Sequence, residues 1–478
     1  MADLFGIKRF SKQFDESAQR KFAKLSGDFN PLHMDHVVAR RTIFGARVCH
    51  GIHILLFCLD GLSAQSKRRL GGLCKISVSF GQPIYLDDEV TVEWTEGKRC
   101  QLKGVGYVSG RNVIRITADF SNKYRCRPNL ALPHTPERLD PDSPNIQEMA
   151  DCEGALTLHY DHKLGRSLFP NLEKTLSVDE IASLLATTKL VGMHCPGLHS
   201  IYSGLVLERS AAAPSTGNGR LHYSVRKWEP RLNYLEISAT ASGLYGVVKT
   251  VRRPEPITQP QITELTAIVQ PDEFKHQKAL IIGGSRGLGE LAAKLLVVGG
   301  ADVTVTYAHG MEDAARVELE CATSGYDLHA CKFDITDPDS YELPLDWNYL
   351  YYFASPKIRA NANPINETML AQFCEFYVVG LKKLVDRAGE ALTHIFYPST
   401  VFIDQNASGF LEYILAKSMG EELVYQFANT RGLTVYTPRL PALETDQTVS
   451  IVPAQYLPAE VIMLDAIRNL NSKASPLK

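Results

Sequence analysis

"VCHGIHILLFCLDGL", Val48 to Leu62, is apolar on nearly every face. Such a stretch predicts a helix wrapped on all sides, since a surface helix keeps a polar face. Only strand-like runs follow it. "LCKISVSF", "EVTVEWTE", "CQLKGVGYV" and "NVIRITADF" are rich in β-branched residues, with turn residues such as "SGRN" between them. One buried helix followed by an antiparallel sheet predicts a sheet curled around that helix.

This is the hotdog arrangement, and the order recurs. "CPGLHSIYSGLVLE" (Cys195 to Glu208) reads as a helix after a proline-glycine start, with "GRLHYSVRKW", "YLEISATAS" and "LYGVVKTVRR" as strands behind it. The expectation is an α+β double hotdog. From Lys278 the pattern changes to alternation. "KALIIGG", "ADVTVTYA", "LHACKFDI", "WNYLYYFAS" and "THIFYPS" read as strands, and "GLGELAAKLLVVGG" and "MLAQFCEFYVVGLKKLVDRAGEAL" as helical stretches between them. That alternation predicts an α/β, Rossmann-type, doubly wound parallel sheet. Two proline-rich breaks separate the blocks: "CRPNLALPHTPERLDPDSPN" holds five prolines in twenty residues, and "RRPEPITQPQITELTAIVQPDEFKHQ" has the same character. The predicted organisation is a first hotdog at 1–125, a linker at 126–145, a second hotdog at 146–253, a linker at 254–275 and the parallel sheet at 276–478.

The chain has 478 residues, a formal net charge of −2, 45% hydrophobic and 22% charged residues. This balance gives no electrostatic footprint for nucleic acid or an anionic membrane. The amino terminus shows no cleavable apolar core, and no run of about 18 apolar residues occurs, so a cytoplasmic location without membrane insertion is expected. Ten cysteines without a CxxC pair read as reduced core thiols. No metal site is expected, and His194, Cys195 and His199 read as packing and capping residues. "SKRRLGG", with Lys67 to Arg69, reads as a solvated charged face that could instead meet phosphates of coenzyme A or an acidic carrier.

Immediately ahead of the buried helix, "SGDFNPLHMD" sets Asp28, Asn30 and His33 on one loop stiffened by Pro31. A carboxylate and a neutral imidazole sharing one water can add that water to a polarised double bond or remove it. Backbone N–H groups at a buried helix's amino terminus can stabilise an enolate oxygen, and His50-Gly51 stands where that helix begins. The bland alternative is an Asx-turn with a surface histidine.

"SGDFNPLHMD" followed by "FGARVCHG" resembles the MaoC-like (R)-specific enoyl-thioester hydratases and dehydratases, over about the first 120 residues. The resemblance implies that Asp28 and His33 are the acid/base pair, that Asn30 orients the pair or the water, and that Gly51 gives its N–H to the thioester carbonyl. The second half holds no such motif and is expected to help form an acyl tunnel.

In the last block, "IIGGSRGLG" follows a strand and opens a helix, so Gly283, Gly287 and Gly289 can admit a dinucleotide pyrophosphate, with Ser285, Arg286 and Leu288 in the same loop. Downstream, "YPST" and "YILAK" put Ser399 at a strand end and Tyr413 and Lys417 one helical turn apart. A lysine ammonium and a nicotinamide cation beside Tyr413 would favour its phenolate. The combination resembles the short-chain dehydrogenase/reductase family. It implies that Ser399 holds the substrate oxygen, Tyr413 exchanges its proton and Lys417 binds the ribose. Asp334 would contact adenine, and Ala354 would lie against the cofactor. Departures from the family are Ile282 ahead of the first glycine, "YFAS" (Tyr352 to Ser355), Tyr377 in place of a helical asparagine, and Pro438-Arg439. They leave open a Rossmann domain that binds cofactor without turnover.

Strand two ends "TVTYAHG" without an acidic residue, and Arg286 could meet a 2′-phosphate, which favours NADP(H) over NAD(H). Together the pieces predict a bifunctional 3-oxoacyl-thioester reductase and (R)-3-hydroxyacyl-thioester dehydratase acting on acyl-CoA or acyl carrier protein. The alternatives are hydration then oxidation in degradation, and a dehydratase with a nucleotide-binding scaffold. Resemblance to both families implies a homodimer.

Overall fold

A computed structural model of the chain describes residues 8–66, 70–96, 101–121, 123, 132–133, 140–209, 219–344, 346–361, 365–451 and 455–472. Lys67 to Arg69 and most of the proposed 126–145 linker lie outside the described residues. The chain divides into two compact units, residues 1–255 with 450–453, and residues 256–449 with 454–478.

The amino-terminal unit begins with β1 (Lys8–Gln13), α1 (Glu16–Ser26), α2 (Pro31–Met34), α3 (His36–Arg40) and α4 (Gly51–Gln65). Strands β2 (Gly72–Phe80), β3 (Glu89–Glu96), β4 (Leu102–Val108) and β5 (Arg111–Ser121) follow. Helix α4 is the wrapped helix of the sequence reading: Ile52 through Leu56 are all buried, as are Cys58 and Leu59. The sheet closes on it through alternating residues. Val90, Val92 and Trp94 of β3 point inward, and the Trp94 indole N–H donates to the Cys58 carbonyl of α4 at 3.1 Å, which satisfies the one polar atom of a buried ring.

The second half repeats this with β6 (Glu153–Thr157), α5 (His162–Leu168), α6 (Val178–Lys189), β7 (Ser200–Arg209), β8 (Arg220–Glu229), β9 (Tyr234–Ala241) and β10 (Leu244–Arg252). The wrapped helix here is α6. The expected helix at Cys195–Glu208 is incorrect: residues from Ser200 form strand β7, and the helix lies upstream, prolonged by a π-turn at Leu190–His194. Two local causes decide this. Ser177 and Glu180 form a capping box that starts α6, while Ile201, Tyr202, Val206 and Leu207 suit a pleated surface. Strand β7 pairs with β2 (Ile76 opposite Leu207, Val78 opposite Leu205), which joins both halves into one ten-stranded antiparallel sheet ordered β1-β3-β4-β5-β2-β7-β10-β9-β8-β6.

The second unit contains α7 (Ile262–Leu265), β11 (Lys278–Ile282), α8 (Gly287–Val298), β12 (Asp302–Tyr307), α9 (Met311–Thr323), β13 (His329–Lys332), β14 (Tyr349–Tyr352), α10 (Glu367–Cys374) and α11 (Leu381–Arg387). It continues with β15 (His394–Phe396), β16 (Ser399–Thr400), α12 (Phe402–Gln405), α13 (Leu411–Arg431), β17 (Thr434–Tyr436), β18 (Arg439–Leu440) and α14 (Ala459–Ser472). Six parallel strands run β13-β12-β11-β14-β15-β17, the doubly wound order with its switch point between β11 and β14. Two sequence expectations differ in detail. The 254–275 segment is no free linker, because Ile262, Leu265, Val269 and Phe274 are buried in this unit's core. The long helix after β14 is interrupted by a π-turn at Glu375–Gly380. No helix among the described residues is long and apolar enough to cross a membrane.

Candidate active sites

Helix α1 ends at Gly27 in the left-handed region (φ 75°), a conformation glycine adopts without cost, and the reversed chain turns Asp28 inward. The Asn30 side-chain oxygen then accepts from Leu32 N at 3.0 Å and starts α2, with Pro31 at its first position. Asp28 is 1% exposed. Its Oδ2 accepts from the Thr188 hydroxyl at 2.7 Å and its Oδ1 from Asn30 N at 3.2 Å. Burial pushes the carboxyl pKa up, against the opposing charge of His33 and the Thr188 bond.

His33, half-buried, sets Nδ1 2.8 Å from the Val48 carbonyl. A carbonyl only accepts, so Nδ1 holds the proton and Nε2 keeps its lone pair. Burial lowers the imidazole pKa, with Asp28 opposing, and a neutral ring able to act as a base is the result. Beneath it lies His50, fully buried, whose ring stacks on that of His33 with centroids 3.8 Å apart. His50 Nε2 donates to the Asp28 carbonyl at 3.1 Å. One ligating atom from each of Asp28, His33 and His50 lies within 4.8 Å of the others. Those three groups also have metal-like spacing. Gly51 is the first residue of α4, so its N–H is among those without an intrahelical acceptor.

The Asn30 amide donates to the carbonyls of Gly192 at 2.7 Å and Gly197 at 3.0 Å, which fastens the loop, while the Asn30 backbone N–H holds Asp28 Oδ1 and so helps to orient the pair. The second half, expected to help form an acyl tunnel, also supplies Thr188 and Gly192 directly to the site. A Cβ at Gly192 would lie 2.2 Å from Asp28 Oδ1, so only glycine lets the π-turn approach this closely. Neither residue carries a local signal, because each acquires its role from a loop about 160 positions away.

In the second unit, Gly283 (φ 79°) lies where a Cβ would meet Ala354 N at 3.1 Å, and a Cβ at Gly289 would meet the Gly283 carbonyl at 2.2 Å. The β11–α8 turn therefore forms a cradle that side chains would fill, with Gly287 also at positive φ, Ser285 buried and Leu288 packed on the core. This is a fit for a dinucleotide. Arg286 caps the start of α8 with a guanidinium nitrogen 3.8 Å from the Asp446 carboxylate. Asp334 Oδ1 accepts from the Thr336 N–H at 2.9 Å and its hydroxyl at 2.7 Å.

Ser399 and Tyr413 are buried, and the Ser399 hydroxyl has no partner among the described residues. Lys417 Nζ donates to the Pro398 carbonyl at 2.8 Å and lies 4.1 Å from the Tyr377 ring centre and 4.6 Å from that of Tyr397. Burial lowers its pKa to about 7 and raises that of Tyr413 to about 12. Desolvation among Phe373, Tyr377 and Phe402 raises the Tyr413 phenol, and a hydrogen bond with the Thr400 side chain opposes it. Two departures noted in the sequence are coupled, since the Tyr377 hydroxyl lies 2.6 Å from Ser355 Oγ.

Comparison with known proteins follows the same division. Residues 8–114 match the family model described as MaoC like domain, and residues 277–346 the model described as short chain dehydrogenase. The chain is 40% identical over 86 residues to an (R)-specific enoyl-CoA hydratase of Aeromonas caviae, covering 18% of this chain and 63% of that protein. It is 35% identical over 91 residues to a 3-hydroxybutyryl-CoA dehydratase of Methylorubrum extorquens, covering 18% and 55%. A solved short chain dehydrogenase from Burkholderia cenocepacia in complex with NADP aligns at a TM-score of 0.37 and 19% identity over 42% of this chain and 94% of that one. The buried Asp28–His33 couple ahead of a wrapped helix, the glycine cradle and both family matches lead to one conclusion: this chain carries a MaoC-like dehydratase domain at its amino-terminal end and a short-chain dehydrogenase domain in its carboxy-terminal part.

Proposed function

We propose that the amino-terminal unit moves water across the α,β-bond of an acyl thioester and that the second unit transfers hydride at the β-carbon while a proton is exchanged at the β-oxygen. The chain would then be a 3-oxoacyl-thioester reductase and (R)-3-hydroxyacyl-thioester dehydratase. The observation that carries this reading is the Asp28–His33 couple, a buried carboxylate and a neutral imidazole with Nε2 unprotonated, their ligating atoms within 4.8 Å of one another. In hydration the couple takes a proton from the water while the Gly51 N–H supports the developing enolate oxygen. The relatives named above act on coenzyme A thioesters, which supports an acyl-CoA or a carrier-bound analogue as substrate.

Gly283, Gly287, Gly289 and Ala354 would hold a nicotinamide dinucleotide, which when bound supplies or accepts the hydride. Ser399 would hold the substrate oxygen, and Tyr413 would pass it a proton. Lys417, near neutral pKa and one turn from Tyr413, would exchange that proton onward. Arg286 and the absence of an acidic residue after β12 favour NADP(H). A second reading has support of its own, because the Tyr377 ring and the Pro398 carbonyl already engage the Lys417 ammonium; on it the second unit binds nucleotide without turnover.

The test supplies an enoyl thioester, and separately a 3-oxoacyl thioester with NADPH or NADH. Asp28→Asn should abolish hydration alone and Tyr413→Phe hydride transfer alone. Loss of both activities from either change in a folded protein refutes two independent sites. Nucleotide binding with no hydride transfer in the unaltered chain selects the second reading.

A further inference from the structure

Arg253 follows β10 and is 1% exposed. Its Nη2 donates to the Leu198 carbonyl at 2.8 Å, and the Asn30 amide reaches the same oxygen at 3.3 Å. One carbonyl oxygen therefore separates this guanidinium from the catalytic loop. Its Nε and Nη1 are buried with no partner among the described residues.

A buried cation without a counter-charge costs several kcal/mol, and unsatisfied buried donors are rare enough to require a cause. Among the described residues no carboxylate bonds it directly: Glu255 acts on it only through space, pairs with Arg252 at 2.7 Å and faces solvent, and Asp28 is held by Thr188 and Asn30 N. His199, whose carbonyl accepts from Arg253 N at 2.7 Å, likewise has a buried Nδ1 without a partner. Burial together with the Arg253 charge lowers this imidazole to about 4, so at neutral pH it offers a neutral ring and no counter-charge.

We infer that Arg253, with His199 beside it, is an anion subsite that takes a carboxylate carried by the acyl chain of the thioester substrate. The inference rests on the proposed hydratase reading and narrows it to acyl thioesters bearing a second acid group. A guanidinium matches a planar two-oxygen anion. A phosphate shares this chemistry, and the two carriers in the experiment below separate the sources; the acyl chain is the favoured source because a single carbonyl, that of Leu198, joins Arg253 to the Asp28–His33 loop.

The experiment measures kcat/KM for hydration of 2-enoyl thioesters of matched length ending in a carboxylate or a methyl group, on coenzyme A and on N-acetylcysteamine, which lacks phosphate. The unaltered protein should prefer the carboxylate-ended chain by tenfold or more on both carriers. In Arg253→Met and Arg253→Gln that ratio should fall to near one, and Arg253→Lys should retain part of it. A purely structural loss would lower both substrates together and leave the ratio where it was, which overturns the inference. No preference in the unaltered protein also overturns it, as does a preference for coenzyme A over N-acetylcysteamine that Arg253→Met removes. Turnover of the methyl-ended chain keeps the hydratase reading standing in each of these cases, and only its absence from every thioester would overturn that reading.

Discussion

Thr188 reaches across from the half without a catalytic motif, and replacing it isolates what that half contributes. Thr188→Val keeps the shape and removes the 2.7 Å hydroxyl donor to Asp28 Oδ2. A hydrogen bond to a buried charged group is worth about 1.5–3 kcal/mol, and one pKa unit corresponds to about 1.4 kcal/mol. The Asp28 pKa, already raised by burial, should therefore rise by a further one to two units. The donor stabilises the ionised form, so its loss makes the carboxylate harder to form. In the hydration direction the couple needs that carboxylate, and the acidic limb of the kcat/KM profile should move to higher pH by about one to two units. Thr188→Ser keeps a hydroxyl and should leave the limb near its original place. The assay is enoyl-thioester hydration followed across pH 5 to 9, with thermal unfolding checked in parallel. An unmoved limb in a folded Thr188→Val protein would refute the assignment, as would equal displacement by Thr188→Ser.

Gly192→Ala would put a methyl 2.2 Å from Asp28 Oδ1; displacing a reacting group by about 1 Å costs about a hundredfold in rate, so hydration should fall by that order while hydride transfer persists. Burial lowers the pKa of His33, His50 and His53 below the ordinary 6.5. Depressed histidines contribute stability that is present above the unfolded value and lost as pH falls through and below it, so the denaturant midpoint of the amino-terminal unit should drop between pH 7 and 5. His53, packed among Phe14, Phe22 and Phe169, has both ring nitrogens buried without partners among the described residues. His53→Leu removes two unsatisfied atoms and should raise the unfolding temperature and flatten that pH slope. In the second unit, fully buried Lys294 bridges Glu290 at 2.9 Å and Glu320 at 2.8 Å. Lys294→Met leaves Glu320 poorly compensated and should destabilise this unit by about 3–5 kcal/mol in chemical denaturation.

Local pattern carried much of this molecule. The unbroken apolar face of Gly51–Gln65 could only be a wrapped helix, and the strand runs behind it alternate as a half-buried sheet must. The glycine turn after Lys278–Ile282 and the Tyr413–Lys417 spacing were legible for the same reason: each is a short-range geometric requirement written in adjacent residues. The misplaced second helix shows the limit of that reasoning. Short apolar runs suit helix and strand alike, and what made Ser200–Arg209 a strand was its pairing with Gly72–Phe80.

The Asp28-Asn30-His33 motif was determined by the chain's order alone, because one loop holds all three groups. Everything that tunes it came from tertiary structure: the Thr188 hydroxyl on the carboxylate, the Gly192 carbonyl on the Asn30 amide, the His50 ring under His33, and the unpaired Arg253 donors one carbonyl away. Protonation and orientation depend on solvent exclusion and on partners from distant segments, and no spacing along a chain records which segments will meet.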